Sequence, residues 1–317
     1  MQRPRPIPTR LGRAFSTRDA ASAGVGRGQL RHPQYDRPFR GVRVRPTMDP
    51  PSHDPYVRQA DARLAAARAW LPRMLDTQFF SHETAATIWG APLPLTDDSA
   101  RPGFPVHVSI FGDGPLPREP HVSGHRARPR TTKIARRDGV AASSPASTWA
   151  SLGHLPLNDL VALGDYFCRV WREGVGRRHV GRTPFATRDE LRAALNAGRR
   201  VGNPRLREAI ELVREDSWSP RESQVRCLLM HAGLPEPELN LDVFDDRRDF
   251  IACLDLAYPR QKVGIEYHGL HHAATYAADI ERLARLRAAG WNVIEVSAAL
   301  LARPRILVDR VRAALHG

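Results

Sequence analysis

Hydrophobic residues recur at every second position in two runs near the C-terminal end of the chain, FIACLDLAY (Phe250–Tyr258) and KVGIEYH (Lys262–His268). A period of two is the pattern of a strand with two distinct faces. In the first run Phe250, Ala252, Leu254 and Leu256 fall on one face, and Ile251, Cys253, Asp255 and Ala257 on the other. In the second, Val263, Ile265 and Tyr267 lie opposite Lys262, Gly264, Glu266 and His268. Pro259 and the Arg260-Gln261 pair supply a turn, so the two runs predict an antiparallel hairpin. VHVSIF (Val106–Phe111) predicts a further strand.

Helical periodicity accounts for most of the rest. ADARLAAARAWLPRML predicts one amphipathic helix, and SHETAATIWG another, capped by Ser81 and closed by Gly90. SSPASTWASLGHLPLNDLVALGDYFCRVW opens a long helical portion, with Ser147 as cap and Leu160, Leu163, Phe167 and Trp171 spaced for one buried face. TPFATRDELRAALNAG and NPRLREAIELVRED predict two more helices. Near the start, FSTRDAASAGVGRGQLRH reads as helix, turn, helix: Ser16 or Thr17 caps a helix to about Ser22, Gly24 breaks it, and a second ends near Arg31. PFRGVRVRP follows as a short strand or wing carrying Arg40, Arg43 and Arg45. Residues 1–11 read as a disordered basic tail, TMDPPSHDP as a linker, and PREPHVSGHRARPR as a turn region with His121 and His125 as loop histidines. The expected organisation is a winged-helix-like element over 12–47, a mixed α/β middle region over 48–150, a helical connector over 151–216 and an α/β domain over 217–317.

Composition narrows the function classes. No apolar run approaches the ~20 residues that span a bilayer, and MQRPRPIPTRLGR is basic without an apolar signal region. Cys168, Cys227 and Cys253 are odd in number and widely spaced, which predicts buried thiols in a reducing cytoplasm and excludes a zinc ribbon or disulfide framework. The net charge of +14 points to a polyanionic partner, nucleic acid first. Only Lys133 and Lys262 are lysines, as codon bias toward Arg produces in any protein, so the distribution of charge says more than its total. Residues 1–47 hold eleven Arg against Asp19 and Asp36.

The chemistry concentrates in the predicted hairpin. Asp255 and Glu266 are lone acids in apolar runs, and neighbouring strands can bring them together with His268 and Lys262. Paired carboxylates in a low-dielectric site require a cation or donors. Oxygen ligands of this kind suit Mg2+ or Mn2+. The chain has no phosphate-binding glycine loop or other small-molecule cofactor motif, and its oligomeric state is not legible.

SWSPRESQVRCLLMHAGLPEPELN, DLAYP with Asp255, IEY with Glu266, Gly269, His272 and DIERLARLRAAGWNVIEV occur in that order. With them, residues 217–317 resemble a bacterial domain related to the very-short-patch-repair endonuclease, within the PD-(D/E)XK, restriction-endonuclease-like superfamily. The resemblance implies a mixed sheet flanked by helices and Mg2+-dependent or Mn2+-dependent hydrolysis of DNA phosphodiesters. It also implies Asp255 and Glu266 as metal ligands, Glu222 as a supporting helix carboxylate, His272 polarising water or phosphate, and Asp279 and Arg282 orienting the site. One departure is clear: relatives carry EYDG and the superfamily a Lys two residues after the Glu, whereas this chain has EYHG. His268 therefore occupies the slot of the base, as a working imidazole or as the mark of a decayed site. Upstream, FSTRDAASAGVGRGQLRHPQYDRPFRGVRV and FFSHETAATIWGAPLP resemble the front half of actinobacterial proteins likened to AbiEi-type antitoxins, over roughly residues 12–150. That implies a winged helix and operator binding, with Arg40, Arg43 and Arg45 on DNA phosphates. Two functions are expected from these features: a metal-dependent DNA endonuclease, or a DNA-binding regulator on a catalytically silent nuclease fold.

Overall fold

Phe15 sits in a three-residue strand, β1 (Ala14–Ser16). The hydroxyl of Ser16 accepts the amide of Asp19 at 3.0 Å and so starts α1 (Thr17–Ser22). The computed structural model describes residues 7–47, 50–96, 103–268 and 276–317. Contacts divide the chain into two units, Met1–Leu152 with Ala193–Val201, and Gly153–Arg192 with Gly202–Gly317.

In the N-terminal unit, α1 is followed by the single-turn α2 (Arg27–Leu30) and by β2 (Val42–Val44), antiparallel to β1. Phe15, Ala20, Val25, Leu30 and Tyr35 form a small core there, and Ile7 is buried with them. Residues 7–11 of the expected disordered tail are therefore ordered. Arg45 fixes it by donating to the carbonyls of Ile7 and Pro8, at 3.1 and 2.8 Å.

Asp54 caps α3 (Pro55–Trp70), with Pro55 at the first helical position where no amide is needed. Then come β3 (Gln78–Phe80), α4 (His82–Ile88), β4 (Val106–Phe111), β5 (Val122–Ala127), β6 (Ile134–Arg137), β7 (Val140–Ser143) and α5 (Pro145–Ser151). The strands make a mixed sheet in the order β5-β4-β3-β7-β6 around Phe79, Phe80, Val108 and Ala142. Two expectations change here, and one hairpin was not foreseen. The supposed turn region contains β5, which pairs in parallel with β4 along its whole length. The β6–β7 hairpin turns through Asp138-Gly139, both at positive φ, a tight-turn signal that the low apolar content of its strands obscured. Ser144, not Ser147, caps α5, because Pro145 follows it at the first helical position.

The second unit begins with α6 (Leu157–Cys168), in which Leu160, Leu163 and Phe167 are fully buried; Trp171 lies beyond the helix end. α7 (Arg188–Asn196) carries the chain into the range Ala193–Val201, and α8 (Asn203–Leu212) returns it. Gly202 at φ 67° allows this return: a Cβ there would lie 1.9 Å from the Gly153 carbonyl oxygen. α9 (Pro220–His231), capped by Ser219, precedes β8 (Glu238–Phe244), β9 (Phe250–Tyr258) and β10 (Val263–Tyr267). α10 (Tyr276–Ala288), β11 (Asn292–Val296), α11 (Ala298–Leu301) and α12 (Pro304–His316) complete the chain.

The sheet order is β11-β10-β9-β8, with β10 parallel to β11 and the other pairs antiparallel. Val225 and Leu229 of α9 and Leu307 and Val311 of α12 pack on Leu256, Val263 and Ile265. Leu286 of α10 and Trp291 pack with Ile251, Ala252 and Leu254. Leu254 and Leu256, expected on one face, thus enter different cores. The alternation fails at Asp255, where the paired register of β9 with β10 ends. β8 was not foreseen as a strand; its first three residues, Glu238–Asn240, close the GLPEPELN segment.

Helices α6 and α8, expected as a connector, pack within this unit. Arg226 of α9 is fully buried and donates to Asp165 of α6 at 3.0 Å, to Glu236 at 3.1 Å and to the Leu212 carbonyl at 2.8 Å. Asp165 also accepts from the Ser223 hydroxyl and the Arg214 amide, each at 2.7 Å. No helix of the described residues is long and apolar enough to cross a membrane.

Candidate functional site

The last paired residues of β9 and β10 are Leu256 and Ile265, and the next position along that register holds Asp255 and Glu266. The carboxylate of Asp255 replaces a backbone acceptor, receiving the Tyr267 amide at 2.8 Å. Burial pushes Asp255 up to about 6, and the charge of Glu266 adds to the rise. The two acids are therefore electrostatic neighbours on antiparallel strands.

Glu222 approaches from the first turn of α9 and is almost fully buried. One of its oxygens accepts from the Trp218 amide at 2.8 Å and from the Asn240 side chain at 2.9 Å. Burial, then the charge of Asp255, pushes Glu222 up to about 7. Glu222 is thus tied to the loop before α9 and to β8, and coupled electrostatically to Asp255. Asn240, in the left-handed region at φ 49°, was not foreseen as its partner.

The raised carboxyls have a consequence for stability. Between the unfolded pKa near 4 and the folded values near 6 and 7, the native state holds protons that the unfolded chain has lost. Stability therefore falls as pH rises through that window. Asp255→Asn, whose amide oxygen still accepts the Tyr267 amide, should melt higher than the wild type at pH 8 in EDTA, by on the order of 2 kcal/mol. The advantage should shrink as the pH is lowered toward 4. A gap that stays constant with pH in thermal melts would mean that Asp255 carries no buried charge.

Glu266 lies 5% exposed on β10. Its Oε1 accepts from Arg282 of α10, which also reaches Asp279 at 3.5 Å. Its Oε2 is buried and has no hydrogen-bond partner among the described residues. A buried carboxylate oxygen without a donor is costly. Together with the neighbouring Asp255, it offers oxygen ligands of the kind a small hard cation takes. Mg2+ or Mn2+, with Asp255 and Glu266 as ligands, suits this donor set.

His268, just past β10, donates its amide to the Val296 carbonyl at 2.9 Å, and its Nε2 lies 3.0 Å from Glu295 of β11. Glu295, parallel-paired with Glu266, was not foreseen as its partner. His272 and Gly269 lie outside the described residues. Lys262 points away from the acids, donating to the Ala289 carbonyl at 2.8 Å.

An arginine-rich segment after α6 runs beside this cluster and carried no periodic signal. Arg172 and Arg177 donate to the Asn240 carbonyl and pair with Asp242, and Arg172 also pairs with Asp216 at 2.6 Å. Arg169 stacks over Trp171 at 3.7 Å and Trp218 at 5.0 Å, while the exposed Arg182 lies over Trp171 and Phe185. Arg178 is exposed in the same segment.

The arginines expected on DNA are differently placed. Arg43 donates to the carbonyls of Leu30 and Val42, and Arg45 to Ile7 and Pro8, so both are tied into their own small core. Arg40 is exposed. In the same unit, His125 lies on β5 rather than in a loop, grouped with His82 and His107. No protein-family model, curated protein or solved structure matches the chain.

Proposed function

We propose that residues 217–317 form a metal-dependent endonuclease domain of the PD-(D/E)XK type that hydrolyses DNA phosphodiesters. The observation that carries this reading is the buried, unpartnered Oε2 of Glu266 beside the raised Asp255 at the open end of the β9–β10 pairing. A helix carboxylate, a central-strand Asp and a next-strand Glu, on a sheet with helices on both faces, agree with the order the sequence resemblance implies. Bound at Asp255 and Glu266, Mg2+ or Mn2+ would supply positive charge where the phosphate oxygens gain negative charge.

The chain's own groups perform the remaining work. His268 takes the proton of the attacking water, with its ring held by Glu295. The water oxygen bonds to phosphorus, the bond to one sugar oxygen breaks, and that oxygen leaves with a proton from solvent. Arg282 grips Oε1 of Glu266 and so fixes the direction of Oε2. Arg178 and Arg182, on the aromatic-lined segment beside the acids, meet neighbouring phosphates.

The second reading, a DNA-binding regulator of the antitoxin kind with a silent nuclease fold, is favoured by His268 in the lysine slot and by the grip of Arg282 on Glu266. Nicking of supercoiled plasmid by the purified chain separates the two. Cleavage with Mg2+ or Mn2+ and none with EDTA is expected. Plasmid left intact with either metal, by a protein that still retards DNA in a gel, would establish the binding-module reading instead. Replacing Arg178 and Arg182 together by Ala should weaken DNA binding irrespective of sequence and lower the slope of log K against log salt by about 2. An unchanged slope would remove that segment from the interface.

A further inference from the structure

Pairing of β3 with β4 brings the Ser81 amide to the His107 carbonyl at 3.1 Å, so the chain enters α4 with His82 beside β4. Parallel pairing of β4 with β5 sets Ser109 opposite His125, two residues along from His107. Residues of three successive elements, α4, β4 and β5, therefore meet at one place. One ligating atom from each of His82, His107 and His125 lies within 4.8 Å of the others, and all three side chains are half-buried.

We propose that His82, His107 and His125 bind one divalent transition-metal ion, zinc by the character of the ligands. Nδ1 of His107 and Nε2 of His125 face each other at 2.9 Å. Two nitrogens sharing a zinc ion at bonds of about 2.1 Å stand roughly 3.4 Å apart in tetrahedral geometry, so about half an ångström of ring movement admits the ion. The opposite nitrogen of His107, Nε2, lies 3.4 Å from the carboxylate of Glu83. A carboxylate behind a ligating imidazole fixes its tautomer and makes it a better donor. Nδ1 of His82 is held at 2.9 Å by the hydroxyl of Ser81. The Ser109 hydroxyl donates in turn to Ser81, at 2.8 Å. Ser81 stands at the N-cap of α4, yet its hydroxyl makes no capping bond. His82 also holds a left-handed backbone, φ 51°, which is unfavourable for a residue with a side chain.

An all-imidazole donor set selects zinc and its neighbours over Mg2+ or Mn2+, so this site is chemically distinct from the carboxylates on β9 and β10. Three protein ligands leave one position open to water or an anion. The inference is independent of the endonuclease reading.

The test uses the full chain, stripped with chelator and then titrated with Co2+ and Zn2+. Visible ligand-field bands of Co2+ should develop to one equivalent and be displaced by Zn2+, and one zinc per chain should remain after gel filtration, unaffected by excess Mg2+. The melting temperature should rise with zinc concentration. His107→Gln and His125→Gln should each abolish the bands, and Glu83→Gln should weaken binding roughly tenfold. Absence of bands and of retained zinc in the wild type would leave a hydrogen-bonded imidazole group and overturn the proposal. Zinc retained equally by wild type and both histidine variants would also overturn it. If His107→Gln loses its circular dichroism spectrum, the half-exposed His125→Asn decides by the same readouts.

Discussion

Arg226→Ala is expected to destabilise the chain by about 3–5 kcal/mol, because the substitution strands the buried Asp165 without its cation. Both oxygens of Asp165 are engaged, by Arg226, Ser223 and the Arg214 amide, and burial still pushes its carboxyl upward. Removing the guanidinium also takes a donor from the Leu212 carbonyl and leaves Oε1 of Glu236 to Arg214 alone. For a unit of this size the loss corresponds to a fall of roughly 10 °C in melting temperature. Replacing both members, Asp165→Leu with Arg226→Met, should recover most of that fall, since a buried pair contributes little beyond what well-packed apolar side chains would. If the single variant melts within about 2 °C of the wild type, at most ~1 kcal/mol has been lost and the pair is not buried in solution.

Glu266→Gln should reduce metal-dependent nicking by more than ~100-fold, since groups that merely support a ligand already contribute 10–100-fold. The substitution keeps the shape of the side chain and removes the charge of its unpartnered Oε2. Glu295→Gln, which loosens only the hold on His268, should cost about tenfold. Mg2+ should raise the melting temperature of the wild type and not of Glu266→Gln. A Glu266→Gln protein that nicks as fast as the wild type would remove these carboxylates from the chemistry, whatever the plasmid assay of the wild type gives.

The period-two runs determined β9, β10 and β4, and a serine ahead of a helical pattern marked the start of α1 close to its observed bounds. These features are legible because they depend on a few neighbouring residues: a cap hydroxyl bonds within one turn, and alternation follows from the pleat. The placing of Asp255 and Glu266 on the neighbouring strands of one hairpin was legible for the same reason, since a short turn joins those strands.

What joins distant segments was decided only by the tertiary structure. Asn240 under Glu222, Glu295 behind His268 and the arginine segment beside the acids depend on β8 and β11 flanking the hairpin. The alternation through Asp255 looked regular, yet Leu254 and Leu256 serve different cores, and the paired register of β9 with β10 ends between them. His82, His107 and His125 carry no local spacing at all. Their meeting follows from an antiparallel and a parallel strand pairing made in succession, and a pattern read along the chain contains neither partner nor register for pairs formed across long connections.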